Sequence, residues 1–201
     1  MRNWFVILFA ITATLTADTF ARETSYLKAG LRTGAATFDQ IYRGQSSERS
    51  YFFPDISLLY FSHPKLALGG GLELHRIVKY SILDFWAWRL TARYYLIGYG
   101  VPRVVRTDNF EAYNWSRWGF YAGTDFRRFH YSLPIDPRSI ETIETNGNFS
   151  QFCLSAGAEY RIMPNFDINF EVGGSVYSFG ETDIQIRPYT TYAILGLGYA
   201  W

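Results

Sequence analysis

The sequence predicts an all-β fold, a transmembrane antiparallel up-and-down β-barrel, and three observations carry that prediction. Apolar and polar residues alternate with a period of two in eight successive stretches, the mark of strands whose two faces meet different surroundings. The polar face is crowded with small residues, among them Gly30, Gly34, Gly157, Gly173, Gly196 and Gly198. The apolar face carries Trp and Tyr near the strand ends.

Residues 1–21 combine a basic Arg2, an apolar stretch over 4–15 and small-residue cleavage points after Ala17 or Ala21, the pattern of an export signal peptide. That stretch is too short to span a bilayer as a helix, and no later one reaches about 18 uninterrupted apolar residues. Residues 22–201 then form one barrel domain. Its first strand, 26–38, sets Leu27, Ala29, Leu31 and Ala35 against Lys28, Gly30, Arg32 and Gly34. The second, 51–62, opposes Ile56, Leu58 and Tyr60 to Asp55 and Ser57, and the third, 66–78, opposes Leu68, Leu72 and Leu74 to Glu73 and His75. The fourth, 85–97, turns Trp86, Trp88, Leu90, Tyr94 and Leu96 away from Arg89 and Arg93. The fifth, 117–131, separates Trp118, Phe120, Ala122 and Phe126 from Arg117, Asp125 and Arg127. The sixth, 149–162, and seventh, 166–179, place Glu159, Asp167 and Glu171 opposite Phe152, Leu154, Tyr160, Ile168 and Phe170. The last stretch, 191–201, alternates Leu195, Leu197, Tyr199 and Trp201 with Gly196, Gly198 and Ala200.

Connections at 62–65 and 163–165 are tight, whereas 40–50, 132–148 and 180–188 are longer and polar, the asymmetry of a barrel inserted from the periplasm. The connection 98–115 breaks that parity, so eight strands are favoured and ten remain open.

Alternation alone also suits a water-soluble barrel with its apolar face inside. Size decides: the interior of an eight-stranded barrel is just wide enough for side chains, which explains small residues on the charged face. Charge agrees, because buried ions survive when paired and the charged face mixes both signs. The expected interior network is Lys28, Arg32, Glu73, Arg89, Arg93, Arg117, Asp125, Arg127, Glu159, Asp167 and Glu171. A charge at mid-depth on a lipid face costs about 2–4 kcal/mol, and the apolar face carries almost none in its middle stretches. Trp86, Trp88, Tyr94, Tyr160, Tyr199 and Trp201 are the expected membrane-interface aromatics.

Composition narrows the function classes. Nineteen basic residues against 18 acidic leave no basic stripe for nucleic acid, and the single Cys153 excludes a disulfide framework or a thiolate metal site. No cofactor or metal is expected.

The closing pattern of Leu195, Leu197, Tyr199 and Trp201 resembles the C-terminal assembly signal of bacterial outer-membrane barrels. The whole mature chain resembles the small eight-stranded OmpA/OmpX/OmpW-like group. That resemblance implies recognition by the barrel-assembly machinery and residence in the cell outer membrane among lipid and lipopolysaccharide. It also implies a structural, adhesive or surface-interaction role through extracellular loops, or passage of small apolar molecules.

One constellation points to a different class. His130 and Ser132 lie two apart on one strand face, with Glu144 further on, a set that could activate a serine against an ester. It is similar to the His-x-Ser motif of the lipid A 3-O-deacylases, which would make Ser132 nucleophile, His130 base and Glu144 orienter. The sequence departs from that family, with Leu133-Pro134 after the serine and further strands following. The non-enzymatic reading is preferred.

Overall fold

Adjacent residues set the orientation of the wall: Leu31 is 63% exposed and Arg32 3%, so the alternation places grease outward and charge inward. In the computed structural model of the chain the described residues are 26–42, 45–76, 83–107, 110–134, 144–181 and 185–201. Strand residues within 38–49, 75–85, 103–111, 131–146 and 181–189, and residue 113, are described by their backbone alone.

Among the described residues ten strands form: β1 (Tyr26–Tyr42), β2 (Gln45–His63), β3 (Leu66–Arg76), β4 (Leu83–Ile97), β5 (Arg103–Thr107), β6 (Phe110–Asn114), β7 (Trp118–Pro134), β8 (Glu144–Met163), β9 (Phe166–Glu181) and β10 (Gln185–Ala200). Eight of them close a barrel in the order β1-β10-β9-β8-β7-β4-β3-β2, every pair antiparallel. Among the described residues β5 and β6 pair only with each other. The 98–115 connection therefore contains a hairpin, and that hairpin stands outside the eight-stranded wall.

Closure runs to the chain's last residue. β1 meets β10 with Leu31 opposite Leu197, and Leu27 and Trp201 exchange backbone hydrogen bonds of 3.3 and 3.0 Å. Lipid offers no partners to a free strand edge, so only such a closed sheet satisfies every backbone group there.

The β2–β3 and β8–β9 turns lie at one end, the short-turn end, with the β5–β6 excursion; the other ends of the strands form the tip end. The polar segments expected as long tip loops are in large part strand. Only 43–44 separates β1 from β2, and β7 runs to Pro134 before β8 resumes at Glu144. Polar residues on both faces blur a period-two pattern once a strand has left its apolar surroundings, yet the ladder hydrogen bonds continue.

Candidate functional site

The barrel's interior is its most specific feature. Six cations (Lys28, Arg32, Arg89, Arg93, Arg127 and Arg161) and six anions (Asp55, Glu73, Asp125, Glu159, Asp167 and Glu171) are buried in the described lumen. Near the short-turn end Lys28 Nζ lies 2.8 Å from both Glu159 and Asp167, and the Tyr95 hydroxyl donates to Glu159 at 2.7 Å. At mid-height Glu171 accepts from Arg93 at 2.6 Å, Arg32 at 3.2 Å and the Tyr121 hydroxyl at 2.9 Å. Above it Asp55 pairs with Arg32 and, at 3.0 Å, with Arg89. Glu73 lies 3.5 Å from both Arg89 and Arg127. Asp125 pairs with Arg127 at 3.2 Å and accepts from the Tyr192 hydroxyl at 2.9 Å. The Arg127 guanidinium also stacks 3.8 Å from the Tyr192 ring centroid. Neutralisation is more complete than hydrogen bonding: Nε of Arg32, Arg89, Arg93 and Arg127 has no partner among the described residues.

The small residues of the inner face make room for these groups. A Cβ on Gly196 would lie 2.2 Å from Arg32 Cγ, and one on Gly157 the same distance from the Tyr121 ring. Glycine at these positions is a volume requirement.

Apolar clusters stopper the ionic layer at both ends. Towards the tips lie Tyr51, Phe53, Ala87, Phe129, Phe149, Cys153, Tyr192 and Ile194, with Phe129 and Phe149 stacked at 4.5 Å. Towards the short turns lie Leu59, Phe61, Ala67, Tyr95, Tyr121 and Ala200, joined by Val101 from the excursion. Residues 98–102 thus fold back against the barrel mouth. Gly98 makes the turn with a φ of +71°, which only glycine adopts readily, and Gly100 N donates to Pro64 O at 2.8 Å. Buried Arg161 clamps both sides of the excursion, donating to Tyr99 O at 2.9 Å and Ser116 O at 3.0 Å.

Of the expected interior residues, Arg117 is misplaced. Its carbonyl still accepts from Arg161 N at 2.7 Å, but the residue sits in the bend before β7, which begins at Trp118, and is exposed there beyond the buried layer. Asp55 and Arg161 belong to the network instead. Trp86, Tyr94, Tyr160, Tyr199 and Trp201 are exposed on the outer wall, and Trp88 packs there against Phe126 at 5.4 Å. Tyr94, Tyr160, Tyr199 and Trp201, with Trp118, ring the short-turn end; Trp86 and Trp88 lie towards the tips. A shallow recess on the same wall, lined by Thr33, Ala35, Phe52, Phe170, Ala193 and Leu195, presents apolar surface and no chemistry.

The strand register keeps Glu144 away from His130. His130 shares the outward face of β7 with Phe126, and its ring stacks on Trp86 at 4.3 Å and 17°. The β7–β8 register sets His130 opposite Asn148 and Glu144 opposite Pro134. Glu144 is thus four positions beyond the residue facing His130, about 13 Å of strand, a gap that a glutamate and a histidine do not span. The side chains of Ser132, Glu144 and His75 lie outside the described residues, as does the whole segment 1–21.

No family model and no curated protein matches this sequence. Solved structures do. The N-terminal β-barrel domain of Pseudomonas aeruginosa OprF superposes with a TM-score of 0.51 at 16% identity, over 85% of this chain and 97% of that one. Neisserial surface protein A superposes with a TM-score of 0.51 at 14% identity, over 87% and 96%. The fold is that of the small eight-stranded outer-membrane barrels. Within this outer-membrane barrel fold, the interior aromatics and the 98–102 stopper escaped sequence reasoning. Phe52-Phe53 was the available signal, since Phe53 shares the parity of Asp55 and so must point inward.

Proposed function

We propose that this chain is an integral protein of the bacterial outer membrane, a sealed barrel with a structural or surface-interaction role. The observation that carries the reading is the pairing of a charge-balanced, stoppered lumen with a wall that is apolar throughout its middle. Leu31, Ile56, Leu72, Leu90, Leu154 and Leu195 are each more than half exposed. Such a belt is untenable in water and matched by acyl chains. Residues 1–21 would direct export, Leu195, Leu197, Tyr199 and Trp201 would be read by the barrel-assembly machinery, and lipid with lipopolysaccharide would surround the wall. The tips are the part available to a host or surface ligand. Passage through the lumen would require the ion network to open, so structural and surface roles are favoured over transport.

The test is reconstitution of the mature chain. Folded in detergent, it is expected to migrate faster on a gel unboiled than boiled, and in planar bilayers to give a flat current trace. A chain that stays monodisperse in detergent-free buffer would overturn the lipid-facing wall; discrete conductance steps would overturn the sealed lumen.

A further inference from the structure

Among the strand residues whose side chains are described, the outward face is uncharged with one exception, Arg128. Its neighbour Arg127 is buried in the interior network, whereas Arg128 falls on the outward set of β7 with Phe126 and His130 and is exposed. The ion pairs among the described residues all join interior side chains, so nothing in the network accounts for this cation.

Its height is informative. Arg128 lies ten residues along β7 from Trp118, a member of the short-turn aromatic ring. At about 3.3 Å per residue and a tilt of about 40°, that is roughly 25 Å along the axis, the full height of an outer-membrane apolar band. Arg128 therefore stands at the opposite boundary, where the cost of a lipid-facing charge falls nearly to zero.

The neighbouring rows of the sheet show the same change of surroundings. On the short-turn side the row is Leu90, Phe126, Phe152 and Tyr177, all suited to acyl chains. The row holding Arg128 contains Trp88, Ser150 and Phe179, and the row beyond it contains Trp86, His130 and Asn148, with Glu181 as its further backbone partner. Aromatic packing fixes this frame: Phe126 contacts Trp88 at 5.4 Å and Phe179 at 6.3 Å, and Trp86 is stacked on His130. Indoles prefer headgroup depth, and a guanidinium fork matches a phosphate bidentately.

We propose that Arg128, framed by Trp88 and the Trp86–His130 stack, binds the phosphate of a phosphorylated lipid in the tip-side leaflet, whose chains lie along Phe126 and Phe152. The inference rests on the outer-membrane reading above. It assigns to one patch of the wall a preference that a uniform lipid belt would lack.

The experiment compares wild type, R128Q and R128K in nanodiscs doped with bisphosphorylated lipid A or its dephosphorylated form, with retained lipid counted by native mass spectrometry. Wild type is expected to retain the phosphorylated form preferentially. R128Q should weaken that retention roughly tenfold, the value of one charge-assisted contact, R128K should weaken it less, and the dephosphorylated form should respond to neither variant. Heat-modifiable migration verifies that each variant is folded. Equal retention by wild type and R128Q, or no preference of wild type for the phosphorylated form, overturns the site and leaves Arg128 a snorkelling side chain. A wild-type chain that does not enter the discs overturns the outer-membrane reading and this one together.

Discussion

Replacing Glu171 with glutamine tests whether the lumen is held by charge or by volume. The substitution is isosteric, but it removes the anion that takes Arg93 at 2.6 Å, Arg32 at 3.2 Å and the Tyr121 hydroxyl at 2.9 Å, and it points an amide donor among other donors. Arg32 keeps Asp55. Arg93 keeps Glu159 as its anion, at 3.8 Å, and the Tyr121 ring at 4.6 Å. Breaking a buried pair by removing one partner costs about 3–5 kcal/mol. Because Arg32 remains paired and several donors are already unsatisfied, the lower end applies, about 3 kcal/mol, or a factor of more than 100 in the folded-to-unfolded ratio. Reversible urea titration of the barrel in lipid vesicles, followed by tryptophan emission, measures it. Adding Arg93→Met restores neutrality and should recover about half of the loss. A Glu171→Gln variant within about 1 kcal/mol of wild type would refute the charge argument, since a 1 kcal/mol change is within reach of packing alone.

Two further outcomes are expected. A methyl group at Gly100 would lie 2.3 Å from the Phe61 ring and 2.5 Å from Tyr95, so Gly100→Ala should lift the stopper from the barrel mouth at a cost of about 1–3 kcal/mol; faster protease cleavage within 98–117 reads it, and unchanged cleavage would count against the stopper. Ser132→Ala should leave the mass spectrum of the host's lipid A the same as with the wild-type chain; loss of an acyl chain with wild type, abolished by S132A, would restore the hydrolase reading.

The wall was legible in the sequence because a membrane barrel imposes opposite demands on alternate residues. Leu31 and Arg32, or Leu72 and Glu73, differ so sharply in polarity that parity alone orients β1 and β3. The inner face was legible only where it is charged. Phe53, Phe61, Phe129 and Phe149 are buried in the lumen, but an aromatic residue carries no mark of which apolar environment it occupies. Doublets hid the rest: in Arg127-Arg128 one guanidinium goes inward and its neighbour outward, which is decided by register and not by residue type. The stopper at 98–102 was invisible for a similar reason. "GYGVP" has the composition of an ordinary turn, and its seat is made by Phe61, Tyr95 and Arg161 from distant strands.

The six-to-six balance of the described lumen has an electrical consequence. A potential difference across a bilayer does work on net charge, about 2.3 kcal/mol for each elementary charge carried through 100 mV. Displaced as one body, this paired set carries zero net charge, so the forces on its two signs cancel. Polarising the membrane in either direction therefore exerts no net push on this described set as a body.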